Sequence, residues 1–170
     1  MRIIKNRILK GIVTKPLDEG FLSEELEVTG AELKKIIQEK FSRSLHIREV
    51  DTGSCGACES EIISTTNPIY DIQRFGVSFV ASPRHADCLL VTGPVSKNMA
   101  VALKKTYEAM PEPKFVITLG DCAFDGGIFK EAYYTEKGVA NIIPVAFHIP
   151  GCPPTPLDIM KALLSFLKKA

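Results

Sequence analysis

Four cysteines in this 170-residue chain sit in settings where a thiol does chemistry. Cys55 and Cys58 form a Cys-x-x-Cys pair within Gly53-Ser54-Cys55-Gly56-Ala57-Cys58-Glu59-Ser60-Glu61, after a strand-like run and before a helix-like one. Cys122 and Cys152 recur far downstream, each just beyond a strand-like run and beside Gly or Pro. A thiolate is both a nucleophile and a soft metal ligand, so three chemistries compete. A structural zinc site takes four thiolates but usually draws them as two close pairs; here there is one pair and two singletons. A thioredoxin-type dithiol, which would make the chain a thiol–disulfide oxidoreductase, uses Cys55 and Cys58 alone. It leaves Cys122 and Cys152 unexplained. An iron–sulfur cluster uses all four, and a cysteine followed by proline, as in Cys152-Pro153, is a familiar end to such a ligand set.

The elements that carry these thiols follow from hydrophobic patterning. Short apolar runs over 46–50, 77–81, 88–92, 115–119 and 142–147 read as strands, with 88–92 continuously apolar as in a strand buried on both faces. Helical periodicity covers 58–66, 96–110 and 156–169. Strands alternating with helices predict an α/β fold: a flavodoxin-like, doubly wound, mostly parallel five-stranded sheet. In such a sheet every strand ends at one edge, and ligands bind outside that edge. Cys55 and Cys58 follow strand one, Cys122 strand four and Cys152 strand five, so the sheet gathers them at one edge. Cys88 begins strand three, and five residues span roughly 16 Å. It belongs at the opposite edge, as a buried, inert thiol.

The first 45 residues read as an N-terminal extension before a domain over 46–170. Residues 1–17 hold five basic residues and no acid, with Ile4, Ile8 and Ile12 at helical spacing. That is the pattern of a docking arm for a partner or a membrane surface, or else of a solvated terminus. Residues 18–28 turn acidic and read as a linker. Thr29 with Glu32 has capping-box spacing, which predicts a helix from near Gly30 with Leu33, Ile36, Ile37 and Phe41 on one face.

Charge and composition narrow the function class. A formal net charge of +1 gives no argument for a nucleic-acid partner. No apolar run approaches the ~18 residues of a membrane span, and Arg2, Lys5, Arg7 and Lys10 interrupt any secretory signal. Five cysteines without an export signal argue against a disulfide framework and for a reducing compartment.

From about residue 46 onward the motifs resemble a known family. The first cysteine stretch, Arg74-Phe75-Gly76, Ser82-Pro83-Arg84-His85-Ala86-Asp87, Leu90-Val91-Thr92-Gly93-Pro94-Val95, Gly120-Asp121-Cys122 and Pro150-Gly151-Cys152-Pro153-Pro154-Thr155-Pro156 carry the resemblance. Together they are similar to the small subunits of membrane-bound, energy-converting NiFe hydrogenases. That superfamily includes the quinone-proximal cluster subunit of complex I. The resemblance implies one 4Fe–4S cluster on Cys55, Cys58, Cys122 and Cys152, in an electron-transfer subunit with no complete active site of its own. It implies as partners a NiFe-type large subunit, a ferredoxin-like multi-cluster subunit and ion-translocating membrane subunits, with this chain peripheral on the cytoplasmic side of the membrane. Complex I members carry adjacent cysteines in the first motif, whereas Ala57 precedes Cys58 here. The spaced form favours the hydrogenase branch, although sulfur- and quinone-reducing complexes share the architecture.

Three smaller features have a functional and a bland reading each. Glu61 stands where the family carries a glutamate, as a partner-face or proton-path residue, or as a helix-start carboxylate favoured by the dipole. Arg84, His85 and Asp87 are a docking signature or a hydrogen-bonded turn. His148 is a hydrogen-bonding residue near the cluster or a packing histidine.

Overall fold

The computed structural model describes residues 24–169. The basic arm expected over 1–17 lies outside the described residues. Helix α1 (Glu24–Phe41) leads into β1 (Leu45–Asp51), α2 (Ala57–Thr65), β2 (Val77–Phe79) and β3 (Cys88–Thr92). Then come α3 (Lys97–Glu108), β4 (Phe115–Leu119), the short α4 (Asp121–Asp125), β5 (Phe147–Ile149) and α5 (Pro156–Lys169). The strands form one sheet in the order β2-β1-β3-β4-β5, and every pairing is parallel. This is the flavodoxin-like order that the alternation of strands and helices predicts.

β3 is central and all five of its residues are buried, which is why its sequence is apolar without alternation. Side chains of successive residues leave opposite faces of the sheet, and two hydrophobic clusters result. One face packs Leu45, Ile47, Leu90, Ile117 and Ile149 against Leu33 and Ile37 of α1 and Ile159 and Leu163 of α5. The other packs Val50, Leu89, Val91 and Val116 against Leu103 of α3 and the loop residues Val139 and Ile143.

Two boundaries differ from the sequence reading, each for a physical reason. Helix α1 runs from Glu24, through the Thr29–Gly30 step expected to start it and through half of the acidic stretch read as linker. Leu26, Gly30, Leu33 and Ile37 form one buried stripe at helical spacing. Gly30 lies in that stripe because a Cβ there would overlap the Phe75 ring. Glu25, Glu27 and Glu32 are held by Lys161, Arg74 and Lys168 at 2.5, 2.5 and 2.8 Å. The fifth strand is Phe147–Ile149 rather than 142–147. Ile143 is apolar because it fills the second core, in a loop that follows a 3-10 turn at Val139–Asn141, and Pro144 has no N–H to give a ladder. The second strand is also shorter than read, ending at Phe79.

Candidate functional site

All four candidate cysteines leave the C-terminal edge of the sheet. Thr52 to Cys55 continue from β1, and Cys58 lies in the first turn of α2. Cys122 is the second residue of α4, directly after β4, and Cys152 follows β5 by three residues. Cys88 is the first residue of β3, fully buried and paired with Ile47 and Phe115, so it stands at the other end of the strands. Burial and the Asp87 charge push its thiol pKa up, which keeps it protonated and unreactive. Cys55 and Cys152 are exposed, whereas Cys58 and Cys122 are half-buried.

Each cysteine loop is shaped by its own polar contacts. Asp51 Oδ1 accepts from the N–H groups of Gly53 and Ser54, both at 2.7 Å, and Ser54 Oγ accepts from Gly56 N at 3.0 Å. Gly56 takes φ 86 as the residue before α2, a conformation that glycine adopts without a Cβ penalty. Thr52 anchors the loop to the end of β3: its hydroxyl donates to Thr92 O at 2.6 Å and accepts from Val95 N at 3.1 Å. Asp121, between Gly120 and Cys122, bonds to Gly151 beside Cys152. Close approach is built in: a Cβ on Gly120 would lie 2.7 Å from Cys58 Sγ.

The thiols sense one another. Cys58 is pushed up to about 12, first by burial, then by Glu59 and by the charges of Cys122, Cys55 and Cys152. Cys122 is raised by burial and by Cys152 and Cys55, against an N–H bond from Ile128 that lowers it. Cys58 and Cys122, half-buried beside two further thiols, need a cationic centre to ionise together. Among the described residues, no three His, Cys, Asp or Glu side chains are grouped so as to hold a single metal ion. A single tetrahedral ion with metal–sulfur bonds of about 2.3 Å would hold its thiolates roughly 3.8 Å apart. A four-iron cage spreads its four thiolates over separate irons, and the donor set, all cysteine and all on one edge, fits that group.

The remaining sequence candidates resolve differently. Glu61 lies on α2, half-buried, three residues beyond Cys58. Asp87 binds the Arg43 guanidinium through both oxygens, at 2.7 and 3.0 Å, and accepts from His46 N at 3.0 Å. Ser82 Oγ accepts from Arg84 N. The Arg84–Asp87 stretch is thus a hydrogen-bonded turn at the edge away from the cysteines. His148 stacks on Phe124 with ring centroids 4.4 Å apart, and its Nδ1 lies 3.0 Å from Thr118 Oγ1. Burial holds its pKa low, so it is a packed, hydrogen-bonded histidine. The sequence reading missed Asp51, Thr52 and Asp121. The Gly-Asp-Cys string marks Asp121 in the sequence, but only the geometry of the loops gives the aspartate a task.

A parallel α/β sheet with four cysteines at the crevice outside its strand ends defines a redox or metal-cluster protein class. The chain belongs to the family described as NADH ubiquinone oxidoreductase, 20 Kd subunit, whose pattern matches residues 55–166. It is therefore an oxidoreductase subunit of the complex I and NiFe hydrogenase small-subunit type. It is 44% identical over 146 residues to the probable membrane-bound hydrogenase subunit mbhJ of Pyrococcus furiosus, covering 86% of this chain and 85% of that protein. Formate hydrogenlyase subunit 7 of Escherichia coli is 44% identical over 126 residues, 74% of this chain and 49% of that protein. Among solved structures, a chain of the membrane-bound sulfane sulfur reductase, an archaeal respiratory membrane complex, superposes with a TM-score of 0.65 at 34% identity. That match covers 74% of this chain and 70% of the other. No helix among the described residues is long and apolar enough to cross a membrane.

Proposed function

We propose that this chain is the electron-relay subunit of a membrane-bound, ion-translocating hydrogenase complex, holding one 4Fe–4S cluster on Cys55, Cys58, Cys122 and Cys152. When bound, the cluster would supply one-electron transfer between clusters of a ferredoxin-like subunit and the NiFe centre of a large subunit. The observation that carries the reading is the thiol set itself: three loops deliver four cysteines to one sheet edge, where burial and neighbouring thiols raise the pKa of Cys58 and Cys122. The chain's own residues do the positioning. Asp51 and Thr52 fix the loop before Cys55, Gly56 supplies the left-handed turn into α2, Gly120 admits the close approach of Cys58, and partial burial of Cys58 limits water. Glu61, half-buried on α2 beside this edge, is assigned to the partner face or to a proton path there. Residues 1–17 would act as a basic docking arm for a partner or a membrane surface, and the subunit sits peripherally on the cytoplasmic side.

Anaerobic purification tests the cluster. The expected content is about four irons and four acid-labile sulfides per chain, lost in Cys122→Ser and in Cys152→Ser. A colourless, iron-free chain whose thiol–disulfide activity survives both substitutions would establish the Cys55–Cys58 dithiol instead. The 34% identity to a chain of a sulfane sulfur reductase favours a second reading, the same relay in a sulfur- or quinone-reducing complex. Nickel analysis of the active, fully loaded complex separates the two: nickel is expected, and its absence would leave the reductase.

A further inference from the structure

We propose that Asp121 is a positioning residue that clasps the Cys122 and Cys152 loops together, so that these two thiols form a preset pair before any cofactor is bound. The functional weight of that pair rests on the four-cysteine reading above; the clasp itself does not. β4 and β5 stop at Leu119 and Ile149, yet their ladder continues into the loops. Gly120 N donates to Ile149 O at 2.8 Å, and Asp121 N donates to Gly151 O at 3.0 Å. Gly151 N then donates back to Asp121 Oδ1 at 3.0 Å. Asp121 and Gly151 are thus joined by two reciprocal bonds, one to the main chain and one to the carboxylate, and each directly precedes a cysteine.

The carboxylate, in place of a main-chain carbonyl, accepts from Gly151 N. Gly151 has φ 137, and a Cβ on it would lie 2.7 Å from Pro154 N, so the backbone turns sharply there. Pro153 and Pro154 follow without an N–H to give. Asp51 offers the contrast: among the described residues its carboxylate bonds only within its own loop. Among the described residues no hydrogen bond joins the Cys55–Cys58 segment to the Cys122 or Cys152 loop; those two halves meet through packing, as where Gly120 faces Cys58. The thiols are therefore held as two pairs, one set by a continuous segment and the other by Asp121.

The test reads the pair directly, in the cofactor-free full chain. In a background of Cys55→Ser, Cys58→Ser and Cys88→Ala, dibromobimane becomes fluorescent on bridging Cys122 and Cys152. Asp121→Asn, whose Oδ1 still accepts from Gly151 N, is expected to bridge at the parent rate. Asp121→Ala is expected to slow bridging by about fivefold or more, the population change that one lost hydrogen bond produces. Asp121→Glu keeps the charge but moves the acceptor by a methylene, and is expected to slow like Ala. Far-UV circular dichroism sets a temperature at which every variant is folded. Ala bridging as fast as the parent, or Asn as slow as Ala, overturns the clasp. Iron content of the same Asp121 variants, made with all cysteines intact, separates the two levels. A parent chain that bridges as expected but binds no iron sinks the cluster and leaves the clasp.

Discussion

Glu49 lies on the stretch of β1 that outruns β2. β1 spans seven residues and β2 three, so their ladder ends at the Ile47–Phe79 pair. Beyond it Glu49 borders an open cavity of about 380 Å³ with Arg48, Glu59, Ile62 and Phe79. Both carboxylate oxygens of Glu59 and the Nε of Arg48 are buried there without a hydrogen-bond partner among the described residues. Burial, followed by the charges of Glu59 and Asp51, raises the pKa of Glu49 above its ordinary value of 4.5, against the opposing pull of Arg48 and a Thr92 hydrogen bond. The folded chain thus holds this proton more tightly than the unfolded one. Its contribution to stability is fully present below 4.5 and is lost as pH rises through the raised value. Glu49→Gln is therefore expected to melt above the parent at pH 7, with the gap shrinking toward pH 4. Thermal melts at the two pH values check this, and a gap that widens on acidification contradicts it. None of this was legible in the sequence. A cysteine announces its chemistry by residue type, whereas Glu49, Glu59 and Asp121 acquire theirs from where neighbouring strands stop.

At the scale of elements, periodicity located the central strands and α5 to the residue, because β3, β4 and α5 are buried along their whole working faces. It failed where an apolar run or a glycine had a second cause. The loop before β5 is apolar because it covers the second core, and Gly30 belongs to the buried α1 stripe, without a side chain because the Phe75 ring fills its place. Gly30→Ala separates the two meanings of that glycine. Helix propensity alone would stabilise by about 1 kcal/mol, whereas forcing a methyl into a packed ring costs typically about 1–3 kcal/mol. A net loss of roughly 1 kcal/mol is expected by chemical denaturation, and a gain would show that Phe75 moves aside cheaply. Leu33→Ala, in the same stripe and fully buried against the sheet, is expected to lose about 2–5 kcal/mol. Together the two variants measure how far α1 is part of the core rather than an appendage to it.

For the whole molecule, the cysteine edge and the core are physically separate. Neither hydrophobic cluster takes Cys55, Cys122 or Cys152, and Cys58 only packs against the margin of the first. The sheet is closed by α1 and α5 on one face and by α3 with its loops on the other. The chain should therefore differ from a small zinc domain, in which metal binding supplies the folding free energy. Loss of the proposed cluster removes a ligand that binds only the folded state, which lowers the melting temperature by linkage but leaves the fold. It also leaves the two halves of the thiol edge joined only by packing. Hydrogen exchange on cluster-loaded and iron-free chains is expected to differ over residues 53–60, 120–129 and 150–155, while β3 and α5 keep their protection. Loss of protection in β3 on iron removal would mean that the cluster, and not the two-sided core, holds the sheet together.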